Sequence, residues 1–228
     1  MQVYSQKTGR LEALLLDDGI LTELRTAALG ALAAKLLAPK IETIGIIGSG
    51  VQARYQLDML TAVTECRNVL VWGRTPKNVD AFVQEMASKG WKMTVANGPD
   101  QLLQDADVII TTTSSREPIL GNSSLDTRKS GLTIICIGAD APGKHELNPS
   151  LTAKADLLVV DTPVQSIERG EFQNAVAQGL VEKSALLPLG ELIQKKELQR
   201  KENDNRFIVF DSSGVALQDC VVSSLIVE

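Results

Sequence analysis

The stretch IGIIGSGVQA (residues 44–53) decides the fold: an apolar run ends in Gly48-Ser49-Gly50, and a helical pattern starts at once with Val51-Gln52-Ala53. Gly48, Gly50 and Ala53 give the spacing G-x-G-x-x-A between a strand and a helix. Gly48 permits a tight turn, Gly50 removes the side chain that would keep a pyrophosphate from the backbone, and Ala53 lets the helix lie close on the strand. The free N–H groups and partial positive charge at the helix start then favour an anion. The same glycines would also suit a turn needed only for packing, and the complete βαβ setting favours a dinucleotide.

On the C-terminal side of this unit, β-branched runs alternate with helical patterns. NVLVWG, KMTVA, DVIITTT, LTIICIG, DLLVV and RFIVF read as strands, with VQARYQLDMLTAVT, PKNVDAFVQEMASKG and PDQLLQDA as crossover helices. Pro76 and Pro99 stand where a first helical turn tolerates them. The pattern predicts an α/β fold, a doubly wound Rossmann-type parallel sheet with helices on both faces. The two ends read differently. Residues 2–17 predict a hairpin turning at Lys7-Thr8-Gly9, and residues 20–37 predict a long Ala/Leu-rich helix stopped by Pro39. SSGVALQDCVVSSLIVE predicts a second terminal helix, and KKELQRKENDNR a charged loop or frayed helix end. A two-stranded hairpin is marginal alone, so it is expected to pair with strands upstream of this sequence. The division expected is a substrate-domain remnant over 1–37, a nucleotide-binding domain over 38–212, and a helix over 213–228 returning to the substrate domain.

Composition narrows the partners. The 228 residues are 44% hydrophobic, enough for a sizeable core, and the net charge of −5 offers no field that would gather nucleic-acid phosphates. No apolar run reaches the roughly 20 residues of a membrane helix, and MQVYSQKTGR has no hydrophobic signal segment, so no membrane partner and a cytoplasmic location are expected. Cys66, Cys136 and Cys220 are far apart and read as buried free thiols. His145 is the sole histidine, so no metal site is expected.

The second strand ends in VWGRTPKN (71–78), where an NAD-specific site usually carries an Asp or Glu for the ribose hydroxyls. Arg74, Thr75 and Asn78 or Lys77 stand there instead. Guanidinium forks and hydroxyls fit phosphate oxygens, which predicts NADP(H) over NAD(H); a solvated turn is the other reading of Arg74. The missing acid also argues against a methyltransferase. Thr113 and Ser114, at the carboxyl end of the fourth strand, are placed to line a cofactor, although threonine runs also suit strands regardless of ligand.

LTELRTAALGALAAK, GSGVQA, GADAPGKHEL and FDSSGVALQD occur in that order, and together they resemble the signatures of the ornithine cyclodeaminase/mu-crystallin family over essentially the whole chain. The resemblance implies an oxidoreductase that transfers a hydride between NAD(P)(H) and a small amino acid or cyclic imino acid, by ornithine cyclodeamination to proline or by imine reduction. It implies Arg25 as the clamp for the substrate carboxylate and Asp140 as the acid/base carboxylate. It places Ser49, Val51 and Gln52 at the phosphate turn, Ile137, Gly138 and Lys144 near the cofactor, and Ser212 near the nicotinamide. It also implies a homodimer at full length and a further N-terminal segment. Mu-crystallin-like members lack the Asp found at 140, yet VWGRT resembles the NADP-binding members, while ornithine cyclodeaminases are generally NAD-dependent. The alternative is a noncatalytic NADP(H)-binding, mu-crystallin-like protein or an inactive truncated product.

Overall fold

The computed structural model describes residues 1–121 and 128–227. The chain opens with an antiparallel hairpin, β1 (Gln2–Tyr4) and β2 (Leu11–Leu14), in which Gln2 faces Leu14 and Val3 faces Ala13. Helix α1 (Ile20–Leu37) follows. Asp17 starts it by accepting the Leu21 N–H at 3.0 Å, and Ala38-Pro39 stops it, because a residue before proline favours extended backbone.

Eight strands then form one parallel sheet: β3 (Ile44–Ile47), β4 (Asn68–Trp72), β5 (Lys92–Val95), β6 (Val108–Thr111), β7 (Thr133–Cys136), β8 (Leu157–Val160), β9 (Leu186–Pro188) and β10 (Ile208–Asp211). Their spatial order is β5-β4-β3-β6-β7-β10-β8-β9. The chain winds from β3 outward to β5 and returns to lay β6 on the other side of β3, which opens a crevice between the β3 and β6 loops where such sheets take ligands. It later returns from β9 at the edge to insert β10 between β7 and β8. The register aligns Trp72, Ile47, Thr111, Cys136, Asp211 and Val160 across the sheet. The residues immediately after that row therefore form a continuous carboxyl edge.

Both faces are covered. Ile44, Ile46, Val108, Ile110, Ile135, Ile208 and Phe210 pack with residues of α1, α2 (Val51–Leu60) and α3 (Pro76–Ser88) on one face. Ile47, Ile109, Ile134, Cys136 and Val209 pack with α4 (Gln101–Asp105), α5 (Pro149–Thr152) and α7 (Gln173–Ala177) on the other. Burial on both faces is why these strands read as unbroken apolar runs.

Several details depart from the sequence reading. β9 was not expected: it is three residues long and ends in Pro188, which an edge strand tolerates. Helices α5, α6 (Pro163–Arg169), α7 and α8 (Leu189–Gln194) are too short to show a helical period. The KKELQRKENDNR segment is largely exposed, as a charged loop should be, but it has one anchor. Arg200 is buried and donates to the Leu37 and Asp204 carbonyls and, at 2.7 Å, to that of Arg206. This ties the end of α1 to the entry of β10. Of the three cysteines only Cys136 is buried; Cys66 is half-buried, and Cys220 is exposed on α9 (Ala216–Val227).

Candidate active site

Two cavities flank the first turn of α2 on the carboxyl edge, one lined by Gly50 and the other by Gln52. The first, of about 360 Å³, is lined by the 48–50 turn, the 72–75 loop, Asn78, Thr112–Ser115 and Ile119. Gly48 has φ of 107°, a left-handed conformation that favours glycine, and a Cβ there would lie 2.7 Å from the Thr112 hydroxyl. Gly50 has ordinary extended geometry, and a Cβ on it would meet nothing within 4 Å. Its lack of a side chain therefore serves the open cavity and not the packing. The Gly48 N–H is taken by the Trp72 carbonyl, while the N–H groups opening α2 have no cap from a side chain at Gly50. Bare helix-start donors beside open space and small residues fit a dinucleotide pyrophosphate.

The expected positions divide around this cavity. Gly48, Ser49, Gly50, Arg74, Thr75, Asn78, Thr113 and Ser114 line it. Val51, Gly138, Lys144 and Lys77 do not. Val51 is exposed to solvent. Lys144 forms an ion pair with Asp140 at 2.6 Å. Gly138 is small for a different reason: a Cβ would overlap the Thr113 carbonyl and come within 2.6 Å of the Glu146 carboxylate.

The second cavity, about 170 Å³, gathers Thr22, Glu23, Arg25 and Thr26 of α1, Gln52 of α2, Ile137 and Asp140 after β7, and Ser212, Ser213 and Gly214 after β10. Its lining is polar and carries charge of both signs. Gln52 opens α2 beside the Gly48–Gly50 turn, but its side-chain amide lines this second cavity, donating to the Glu23 carboxylate and, at 3.2 Å, to the Glu23 carbonyl. Arg25 reaches the cavity wall but is held from α9, with its Nε 3.1 Å from Asp219 and its Nη1 3.0 Å from Gln218. Asp140 is largely exposed, and its Oδ1 alone takes the Lys144 ammonium. The Ser212 hydroxyl is buried and has no hydrogen-bond partner among the described residues.

Wholly or partly buried carboxylates that the sequence reading passed over lie beneath this surface. Asp161, just past β8, accepts the Gly214 N–H at 2.7 Å and the Ser213 hydroxyl at 3.1 Å, which fixes the loop after β10. Burial pushes its carboxyl above the usual range, against those hydrogen bonds. Asp211 is wholly buried, accepts the Ser166 hydroxyl, and is raised to about 8, first by burial and then by the charge of Asp161. Asp161 stands at a strand end just as Asp140 stands beyond one, so the sequence held a signal for it. Glu146 lies inside the GADAPGKHEL signature but was not singled out there, and Glu171 offered no signal.

Comparison with known proteins places this geometry. The family model for the ornithine cyclodeaminase/mu-crystallin family matches residues 1–228. An uncharacterised cyclodeaminase of Sinorhizobium fredii is 36% identical over 229 residues, covering 99% of this chain and 68% of the relative. The iminosuccinate reductase of Paracoccus denitrificans, solved with NAD+, superposes with a TM-score of 0.85 at 31% identity over 99% of this chain and 68% of that one. The Thermococcus litoralis Δ1-pyrroline-2-carboxylate reductase, solved with NADH and L-proline, gives a TM-score of 0.89 at 27% identity, covering 99% and 69%. The chain thus spans about two thirds of these relatives. It belongs to the ornithine cyclodeaminase/mu-crystallin family.

Proposed function

We propose that this chain carries the nucleotide site and much of the substrate site of an NAD(P)(H)-dependent oxidoreductase that interconverts a small α-amino acid and its imine, including cyclic imino acids. The observation that carries this reading is the pair of cavities either side of the α2 start: one walled by backbone and small residues, the other by Arg25 and Asp140. The NAD+ and NADH named with the relatives' structures support a nicotinamide nucleotide in the first. The Gly48–Gly50 turn and the α2 amides would hold its pyrophosphate, Thr113 and Ser114 would line its middle, and the orphan Ser212 hydroxyl fits a polar nicotinamide substituent. When bound, this cofactor supplies hydride exchange with the substrate α-carbon.

The protein's own work is binding and proton handling. Arg25, with Asp219 and Gln218 fixing its guanidinium, orients a substrate carboxylate in the second cavity. Asp140 takes and returns a proton at the substrate nitrogen through Oδ2, since Oδ1 is engaged by Lys144. Holding both groups on rigid strand ends and a long helix supplies the orientation part of the rate.

Finer assignments belong to the same proposal. NADP(H) is favoured over NAD(H), supported by Arg74, Thr75 and Asn78 lining the cavity without a carboxylate. A homodimer is supported by an apolar groove of about 450 Å³ between α1 and α9, lined by Leu24, Leu32, Leu217 and Val221 among others. Residues 1–37 and 213–228 would then serve the substrate side and 38–212 the nucleotide. A cytosolic setting fits a chain in which no described helix is long and apolar enough to cross a membrane.

The test is fluorescence titration with NADPH and NADH, followed by turnover on cyclic and acyclic α-imino acids. Saturable binding with reduction of at least one imino acid is expected. Folded protein indifferent to both nucleotides at millimolar concentration would sink the reading.

A further inference from the structure

Glu146 is wholly buried, yet its carboxylate forms no ion pair among the described residues. Three donors hold it instead. Oε2 accepts the Thr111 hydroxyl at 2.6 Å and the Gly138 N–H at 3.1 Å, and Oε1 accepts the Thr113 N–H at 2.6 Å. Burial raises its carboxyl from the ordinary value while these bonds oppose the rise. The Glu146 backbone is tied as firmly: its carbonyl accepts the Ile119 N–H at 2.7 Å and its N–H donates to the Glu171 carboxylate at 2.9 Å. Glu171, also buried, takes the Leu147 N–H at 2.7 Å. Among the described residues no group of His, Cys, Asp or Glu is arranged to hold a metal ion, so these acids act through hydrogen bonds.

The three donors belong to the segments that carry the two cavities. Thr113 lines the nucleotide side, and Gly138 lies between Ile137 and Asp140 of the substrate side. Thr111 and Cys136 are register partners in β6 and β7, and the last backbone bond between the two strand ends runs from the Ile137 N–H to the Thr111 carbonyl at 2.9 Å. The Glu146 carboxylate takes over there, occupying the space that a side chain at Gly138 would fill. An apolar residue of the same size would leave two partly buried N–H groups and the buried Thr111 hydroxyl without this partner, a cost that packing alone would not impose.

We propose that Glu146 is a positioning residue: its carboxylate sets the distance between the nucleotide-facing end of β6 and the Asp140 loop after β7. It touches neither cavity. The proposal rests on the function proposed above, because what is being spaced is a cofactor from a substrate. A misplacement of about 1 Å between reacting groups costs on the order of 100-fold in rate without a matching loss of binding.

The experiment compares wild type with Glu146→Gln in the full chain, measuring thermal unfolding, nucleotide Kd, and kcat per nucleotide-binding site. The amide keeps the volume but turns its NH2 against a donor on one side. We expect kcat per site to fall about 10- to 100-fold while nucleotide Kd moves less than about threefold. A merely structural role would lower the melting temperature and the number of binding sites and leave turnover per site unchanged. Thr111→Val removes one of the three donors and serves if the Gln variant does not fold, with a kcat loss of about threefold expected. Normal turnover per site in the folded Gln variant, or in Thr111→Val, overturns the positioning role. Wild-type protein that binds no nicotinamide nucleotide overturns the functional reading and this proposal with it. Normal wild-type turnover beside an unaffected variant overturns the positioning role alone.

Discussion

The nucleotide-side cavity draws its lining mostly from backbone and small side chains of loops 48–50, 72–75 and 112–115, whereas the substrate-side cavity collects Thr22, Gln52, Asp140 and Ser212 from segments far apart in sequence. The first needs a turn shape and an absence of side chains, which local sequence can specify. The second needs charged groups at fixed separations, which only the assembled sheet can specify. Shielded acids mark the difference: Glu146, Glu171 and Asp211 are buried and Asp161 partly so, they lie under the second cavity and its border, and desolvation raises all four. The second cavity therefore rests on polar groups held away from water, and the first shares only one of them, Glu146, through Thr113.

The largest expected effect tests that foundation. The groups facing Asp211 are Asp161, Glu146, Glu171 and the Cys136 thiol, with Ser166 as hydroxyl donor and no cation among them. An aspartate with an unfolded value near 3.8 and a folded value of about 8 keeps its proton in the native state across a window where the unfolded chain has lost it. Native protein then binds more protons, so stability falls as pH rises from about 4 and levels off above about 8. At about 1.4 kcal/mol per unit the whole loss has an upper bound of about 6 kcal/mol. Urea unfolding of wild type and Asp211→Asn from pH 5 to 8.5 should show a shallower decline in the variant. Parallel curves would mean that Asp211 does not titrate in this range.

Next in size is Asp140→Asn, which removes the proton acceptor but leaves the nucleotide cavity untouched. Turnover is expected to fall about 100- to 10,000-fold with nucleotide affinity nearly intact. A variant that loses affinity and turnover in the same proportion would erase the separation between the two cavities. Gly50→Val acts on the other side. Position 50 has φ of −84° and ψ of −167°, which a β-branched residue adopts readily, and its side chain would enter open space. The melting temperature should hold while nucleotide affinity drops about 100-fold, near 3 kcal/mol. Unchanged affinity would remove the pyrophosphate from this turn.

The same contrast explains what could be read in advance. The strands buried on both faces, α1 and the Gly48–Gly50 turn were legible because each is dictated by a run of neighbouring residues. The packing demand at Gly138 could not be read in advance, because it comes from Glu146 and the Thr113 carbonyl, neither of which is adjacent in sequence. Gln52 was assigned by its place in the turn, but its amide reaches across to α1. Lys144 sits one helical turn's worth of sequence from Asp140, yet the ion pair depends on how the loop folds. Arg200 looked like one more charge in a solvated run, and its burial depends on carbonyls of α1 and the β10 entry. Cofactor preference lies between these cases, being written in a short segment but expressed only against a ligand.

That preference gives the smallest and most selective prediction. Arg74 is exposed, lines the nucleotide cavity with Thr75 and Asn78, and makes no hydrogen bond or ion pair among the described residues. A guanidinium held at a cavity wall with its donors uncommitted suits a ribose phosphate, while its removal takes nothing from the fold. Arg74→Ser should lower the ratio of NADPH to NADH affinity about tenfold, near 1.4 kcal/mol, with NADH affinity and melting temperature unchanged. Raising the salt concentration should erode the wild-type NADPH advantage in the same direction, since the interaction is between exposed charges. A wild-type preference for NADH, or a ratio indifferent to Arg74, would return this residue to the solvent and leave the segment after β4 to pack α3 alone.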